Sequence, residues 1–191
     1  MAETNILPLR FWDDPVLSTV CDPISGDEFG PKLEEFGREL IATMKSKNGL
    51  GLAAPQVGVT KRVFAMEFPD HPGAVPKVIV NPVLVLTGLT VPGREGCLSL
   101  PNLFEQVYRA EGVVMKYSDP LGVEGEVTLT EMEARIVQHE TDHLDGIMFF
   151  DYKDKREKYV TPEYPTPRGA RMTKNLQKHL LREWEKKNGK H

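Results

Sequence analysis

Gln138-His139-Glu140-Thr141-Asp142-His143-Leu144-Asp145-Gly146 contains the pattern His139-Glu140-x-x-His143. On an α-helix, positions i and i+4 lie one above the other on the same face. Two imidazoles placed this way can reach one metal ion, with Glu140 beside them to handle a proton. The flanks read as a helix. Thr130-x-x-Glu133 has the form of a capping box at its start, and Gly146 is a stop. With only five histidines in 191 residues, such a coincidence on a plain surface helix is rare. The segment is therefore expected to be a helix that bears a metal.

A catalytic metal ion usually takes three protein ligands and keeps one position open for water. The third ligand decides the enzyme class. A metzincin would continue with H-x-x-G-x-x-H, and this chain has Gly146 on schedule but Phe149 in place of the histidine. A thermolysin-like enzyme would use a later glutamate. Glu157 and Glu163 follow, but in a charged stretch broken by proline. Upstream, Arg94-Glu95-Gly96-Cys97-Leu98-Ser99 offers Cys97 among small and apolar neighbours. A thiolate is a strong ligand for a borderline or soft divalent ion. A lone cysteine is more often a small buried hydrophobe, so the residues alone leave both readings open.

Three segments, taken in order, resemble the signature motifs of the peptide deformylases. They are Gly49-Leu50-Gly51-Leu52-Ala53-Ala54-Pro55-Gln56, Glu95-Gly96-Cys97-Leu98-Ser99, and Gln138-His139-Glu140-Thr141-Asp142-His143-Leu144. The similarity runs from about Pro8 to Tyr152. It implies one divalent ion per chain held by Cys97, His139 and His143. Fe²⁺ is the implied ion in cells; Zn²⁺, Ni²⁺ or Co²⁺ can take the same donors in purified protein. It also implies hydrolysis of the N-formyl group from the first methionine of new polypeptides, releasing formate. Glu140 is then the proton carrier, and the Gln56 amide and Leu98 N–H are donors to the oxyanion. Gly49, Leu50 and Gly51 are expected to pair with an extended substrate like an added strand, with Gly96 beside them.

Two positions depart from many bacterial members of the family. Phe104 stands where an arginine often grips the substrate backbone, and Arg135 stands where an apolar residue often lines the methionine pocket. Both are expected to touch substrate. Asp142 faces away from the two histidines and is expected to support a ligand or lie on the surface. Gln138 is expected to brace Cys97 or backbone.

The length suits one compact domain with a real core. Residues 1–170 are expected to form the catalytic part, and 171–191 a basic helix of the same domain. A net charge of −4 argues against a general nucleic-acid binder, DNA included. The chain has no signal-like segment and no apolar run of membrane-spanning length. If Cys97 binds metal, Cys21 has no disulfide partner, which suits a reducing compartment. The cytoplasm is the expected location, with an organelle matrix as the alternative if a targeting peptide has been removed.

Leu33, Phe36, Leu40, Ile41 and Met44 predict an amphipathic helix running up to Asn48-Gly49, with Pro31 near its start. Residues 61–68, 77–86, 104–109, 112–117 and 126–129 read as strands. Residues 69–73 read as a loop and 119–122 as a turn. Residues 173–188 predict a last helix with Leu176, Leu180 and Trp184 on one face. This order of helix, antiparallel strands, helix and tail helix makes the class α+β. The resemblance implies the same: antiparallel sheets around a central helix that carries His139-Glu140-x-x-His143, with an N-terminal and a C-terminal helix. Residues 171–191 hold seven basic residues against two acidic ones, which suits contact with an anionic partner such as the ribosome. Two other readings remain: a zincin-type endopeptidase, and a metal-stabilised binding module. The first leaves Cys97 and Gln56 without a role. The second would close all four metal positions with protein ligands.

Overall fold

The computed structural model describes residues 4–71 and 75–152. The predicted tail helix, Glu157, Glu163 and part of the 69–73 loop lie outside the described residues. Among those described, two α-helices and one five-stranded antiparallel sheet make up the frame. The helices are α1 (Pro31–Ser46) and α2 (Glu131–Leu144). The strands are β1 (Gly51–Ala53), β2 (Val63–Met66), β3 (Lys77–Cys97), β4 (Leu100–Ser118) and β5 (Glu124–Thr130). They lie side by side in chain order, so β1 and β5 form the edges. The α+β class holds, but the strands form one sheet where several sheets were expected.

All four residues of β2 are buried, and strand periodicity says why. Phe64 and Met66 point to one face and pack with Ala134, Val137 and Leu144 of α2. Val63 and Ala65 point to the other and pack with Leu33, Leu40 and Met44 of α1. At β2 the sheet is therefore covered on both sides. Burial of nine of the 14 residues in α2 places that helix in the interior. Phe149 and Phe150 close a third cluster with Leu17, Leu100 and Val107.

Where sequence and structure differ, the cause lies in partners distant along the chain. The sequence predicts a strand over 77–86, yet β3 runs on through Gly88 and Pro92 to Cys97. The pairing with β4 absorbs the irregularity as a register shift between Thr87 and Thr90, with Gly88 at φ 74°. The segments 104–109 and 112–117 are likewise parts of one strand, β4.

The capping box does not form. Thr130 makes no side-chain cap, and Glu131 has φ +49°. Glu133 instead accepts the Asp70 N–H at 3.2 Å, while the Glu133 N–H donates to Asp70 Oδ2 at 3.3 Å. A residue distant in sequence supplies the cap that the local pattern suggested. The stop at Gly146 does hold: it has φ +70°, and the Ile147 N–H returns to Asp142 O at 2.9 Å.

Candidate metal centre

The site forms where α2 meets the end of the β3–β4 hairpin. Helical spacing puts His139 and His143 on one face, with ring centroids 4.9 Å apart. The hairpin turns at Leu98-Ser99 and carries Cys97 as the last residue of β3. Cys97 Sγ lies 3.3 Å from His143 Nε2. The ligand atoms of Cys97, His139 and His143 all lie within 4.8 Å of one another. Tetrahedral ligands about 2.0–2.3 Å from an ion would stand about 3.5 Å apart, so the three fit a divalent ion with little movement. Phe149 stacks on His139 at 5.9 Å between centroids, so the place of a metzincin's third histidine is a packing position.

Glu95 is the hub behind the ligands. It is 5 % exposed and accepts from His139 Nδ1 at 2.9 Å through Oε2. That contact fixes the ring and leaves Nε2 for the cluster. Arg109, which is also buried, donates Nε to Oε1 at 2.8 Å and NH2 to Oε2 at 2.9 Å. It also donates NH1 to Asp142. Asp142 thus supports the ligands through Arg109. Burial alone would raise the Glu95 carboxyl, but the charge and hydrogen bonds of Arg109, with those of His139, outweigh it. They hold Glu95 well below the usual carboxylate range.

Glu95 belonged to a quoted motif without a role, and Arg109 was missed altogether. A buried arginine becomes visible only when the strand register shows what it faces. Gln138 braces backbone rather than Cys97. Its Nε2 donates to Ala110 O and Ala134 O at 2.9 Å, and its Oε1 accepts from Ala110 N at 3.2 Å.

Glu140 is 5 % exposed, and its Oε2 has no hydrogen-bond partner among the described residues. Burial pushes its carboxyl up to about 7, against the opposing pull of His139 and Arg109. A carboxyl that changes protonation near neutrality suits a proton carrier. Gly51 exists to admit it: a Cβ there would sit 2.6 Å from the Glu140 carboxyl carbon. Burial also pushes His143 well below its ordinary value. For His139, burial pushes the same way, but Cys97 and Glu95 outweigh it and raise the ring.

Gln56 is fully buried. Its Oε1 accepts from Ala53 N at 2.7 Å, and its Nε2 donates to Cys97 Sγ at 3.3 Å and Ser99 Oγ at 3.1 Å. A cavity of about 660 Å³ opens over Cys97, His139 and Glu140 and is also lined by Gln56, Leu98, Gly49, Leu50, Gly51 and Gly96. Gly49 also closes α1, its N–H donating to Met44 O at 3.0 Å. Phe104 sits at the rim, faces Gly96 in register and is half exposed, with the Arg94 guanidinium 4.5 Å over its ring.

Arg135 lines the cavity, but its head is engaged. NH1 donates to Glu95 Oε1 at 2.7 Å and Val107 O at 3.0 Å, and NH2 donates to Val91 O at 3.0 Å. Cys21 and Cys97 are both free thiols; burial raises Cys21 to about 11.

The family model described as polypeptide deformylase matches residues 6–159. A peptide deformylase of Acidothermus cellulolyticus is 41 % identical over 157 residues, covering 80 % of this chain and 82 % of its own. One of Thermus thermophilus is 38 % identical over 170 residues, covering 81 % and 87 %. Among solved structures, a class I type b peptide deformylase from Acinetobacter baumannii bound to Met-Ala-Ser is 36 % identical, with a TM-score of 0.71 over 78 % of this chain and 99 % of that one. A peptide deformylase from Synechococcus elongatus in complex with actinonin is 30 % identical, with a TM-score of 0.75 over 100 % and 91 %. With the three signature segments meeting in one cavity, the chain belongs to the peptide deformylase family, metal-dependent hydrolases that remove the N-formyl group from the first methionine of nascent polypeptides.

Proposed function

We propose that Cys97, His139 and His143 hold the divalent ion, that Glu140 carries the proton, and that Gln56 and the Leu98 N–H receive the oxyanion. The observation that carries this is the meeting of three ligand atoms within 4.8 Å beside a buried carboxylate lacking a partner on Oε2. When bound, the ion supplies Lewis-acid activation of water and of a carbonyl oxygen. Glu140 takes a proton from the attacking water as the new C–O bond forms at the formyl carbon. It then delivers the proton to the departing amine nitrogen as the C–N bond breaks, leaving formate and a free amino terminus. Gln56 Nε2, now donating to Cys97 Sγ and Ser99 Oγ, gives up the longer sulfur contact to meet the developing negative charge.

The substrate lies along β1, the sheet edge that begins at Gly51, with Gly49 and Leu50 extending that edge. Gly96 and Phe104 border it, and Met132, Arg135 and Ile136 wall the cavity on the helix side. The Met-Ala-Ser bound to the Acinetobacter relative supports a peptide in this place.

Fe²⁺ is the native ion in this proposal, and Zn²⁺, Ni²⁺ or Co²⁺ replace it in purified protein. The test is anaerobic purification with metal analysis and measurement of formate release. An Fe²⁺-free, fully active preparation would overturn the assignment.

The catalytic unit is residues 1–170. The basic segment 171–191 meets the ribosome by charge, in the cytoplasm or alternatively an organelle matrix. Among the described residues, no helix is long and apolar enough to cross a membrane. Removal of 171–191 should abolish salt-sensitive co-sedimentation with ribosomes and spare hydrolysis of a short formyl peptide. Unchanged co-sedimentation would end the docking proposal.

A further inference from the structure

We infer that Arg135, given room by Gly93, is a positioning residue that fixes Glu95 against His139 and joins the helix half of the metal centre to the hairpin half. It rests on the ligand set proposed above. Arg135 rises from α2 and donates to three acceptors at once: Glu95 Oε1 and Val91 O on β3, and Val107 O on β4. The planar fork of a guanidinium can span such a set, and an ammonium cannot. The contact ties α2, which bears both histidines, to the two strands whose turn presents Cys97.

Gly93 has no backbone reason to be glycine, since it is not among the positive-φ residues. Its reason is space. A Cβ at Gly93 would lie 2.5 Å from Arg135 Nε and 2.5 Å from its NH2, with the guanidinium carbon closer still. Gly93 also faces Val107 in register, the residue whose carbonyl receives Arg135. The missing side chain and the incoming guanidinium therefore make a matched pair.

Charge gives Arg135 a second role. Glu95 and Asp142 are two carboxylates that share Arg109. Arg135 adds the second cation, bringing the buried cluster to two positive and two negative groups. With four donated hydrogen bonds, Glu95 is held on both oxygens, and Oε2 stays aimed at His139 Nδ1. Without Arg135, Oε1 keeps only Arg109, and the carboxylate can rotate away from the ring. Groups that orient a metal-binding histidine typically affect metal affinity by about 10- to 100-fold.

The experiment uses the full chain loaded with Co²⁺. Release into excess chelator is followed by loss of the thiolate-to-Co²⁺ absorption. Arg135→Met and Gly93→Ala should each speed release by about 10-fold or more. The double variant should release no faster than Arg135→Met alone, because the added methyl then has no guanidinium to displace. Thermal unfolding of the metal-free proteins is measured alongside. A lowered Tm with wild-type release would make Arg135 a staple only and overturn the inference, as would additive effects of the two substitutions. If Arg135→Met does not fold, Arg135→Lys keeps the charge and loses the fork; release several-fold faster than wild type supports the positioning role, and wild-type release overturns it. If the unsubstituted chain shows no thiolate-to-Co²⁺ absorption, the ligand set itself is wrong, and the inference falls with it.

Discussion

The helix α2 and the β3–β4 hairpin each deliver part of the candidate metal centre, by opposite means. The helix places His139, Glu140 and His143 within five consecutive residues, and the 3.6-residue repeat does the rest. The hairpin must bring Cys97 to the end of two strands 21 and 19 residues long, in the right register and through three irregularities. A single slip in register would turn Cys97 away from the site. Local geometry is robust and readable from sequence, while non-local geometry needs fastening. That explains why Glu95 and Arg109 of the hairpin, joined by Arg135 reaching across from α2, form a buried network behind the centre.

The strongest way to break the comparison is to remove the hairpin's one ligand. Cys97→Ser should abolish nearly all formate release and lower metal content, while far-UV circular dichroism stays native because serine is close to cysteine in size and Cys97 lies only at the margin of one core cluster. Full metal content with near-normal turnover would show that the helix half suffices.

On the helix side, Glu140→Gln should keep the metal and reduce kcat by about 10²–10⁴-fold, the usual worth of a positioned proton carrier. If metal leaves together with activity, Glu140 is a ligand, and the division of labour drawn here is wrong.

Gly51→Ala tests the joint between sheet and helix. The new methyl would meet the Glu140 carboxylate and shift it by a fraction of an ångström or more. A misplacement near 1 Å can cost about 10²-fold, so a loss of roughly 10- to 100-fold in kcat at similar KM is expected. Wild-type kcat would mean that Glu140 has room to spare.

A smaller effect lies in the pH dependence of the metal-free protein. Burial raises Glu140 from 4.5 to about 7. The folded state therefore binds more protons than the unfolded state between those values, and stability falls as pH rises through that window. The whole effect is on the order of 3 kcal/mol, at about 1.4 kcal/mol per unit. His143, held low by burial, pulls the other way. The prediction is thus a difference: Glu140→Gln should gain stability over wild type from pH 4.5 to pH 7, read from urea unfolding. Parallel curves for the two proteins would refute it.

The same division decides what the sequence could tell. α1 and α2 were legible because Leu33, Leu40 and Met44, like His139 and His143, report a helical period within their own segment. The ends of β3 and β4 were not, since Gly88 and Pro92 look like breaks until the partner strand accommodates them. The cap of α2 was misread because Asp70, which no local window contains, does the work assigned to Thr130. The Cys97, His139 and His143 cluster was legible from motifs, but the residues packed behind it were not. Burial of Arg109 depends on facing Glu95 and Asp142 across register and layer, and Gly93 is meaningful only beside Arg135.

The two edges of the sheet bear on how the molecule behaves when concentrated. An open strand edge invites another copy to add itself. At one end, β1 offers only three residues, Gly51–Ala53, too short to seed a growing stack but long enough for a short peptide. At the other, β5 is seven residues long and carries Glu124 and Glu126 along its exposed positions. Like charges would face each other if two such edges met. Among the described residues, one edge is thus kept safe by brevity and the other by repulsion, and neither invites a second copy to extend the sheet.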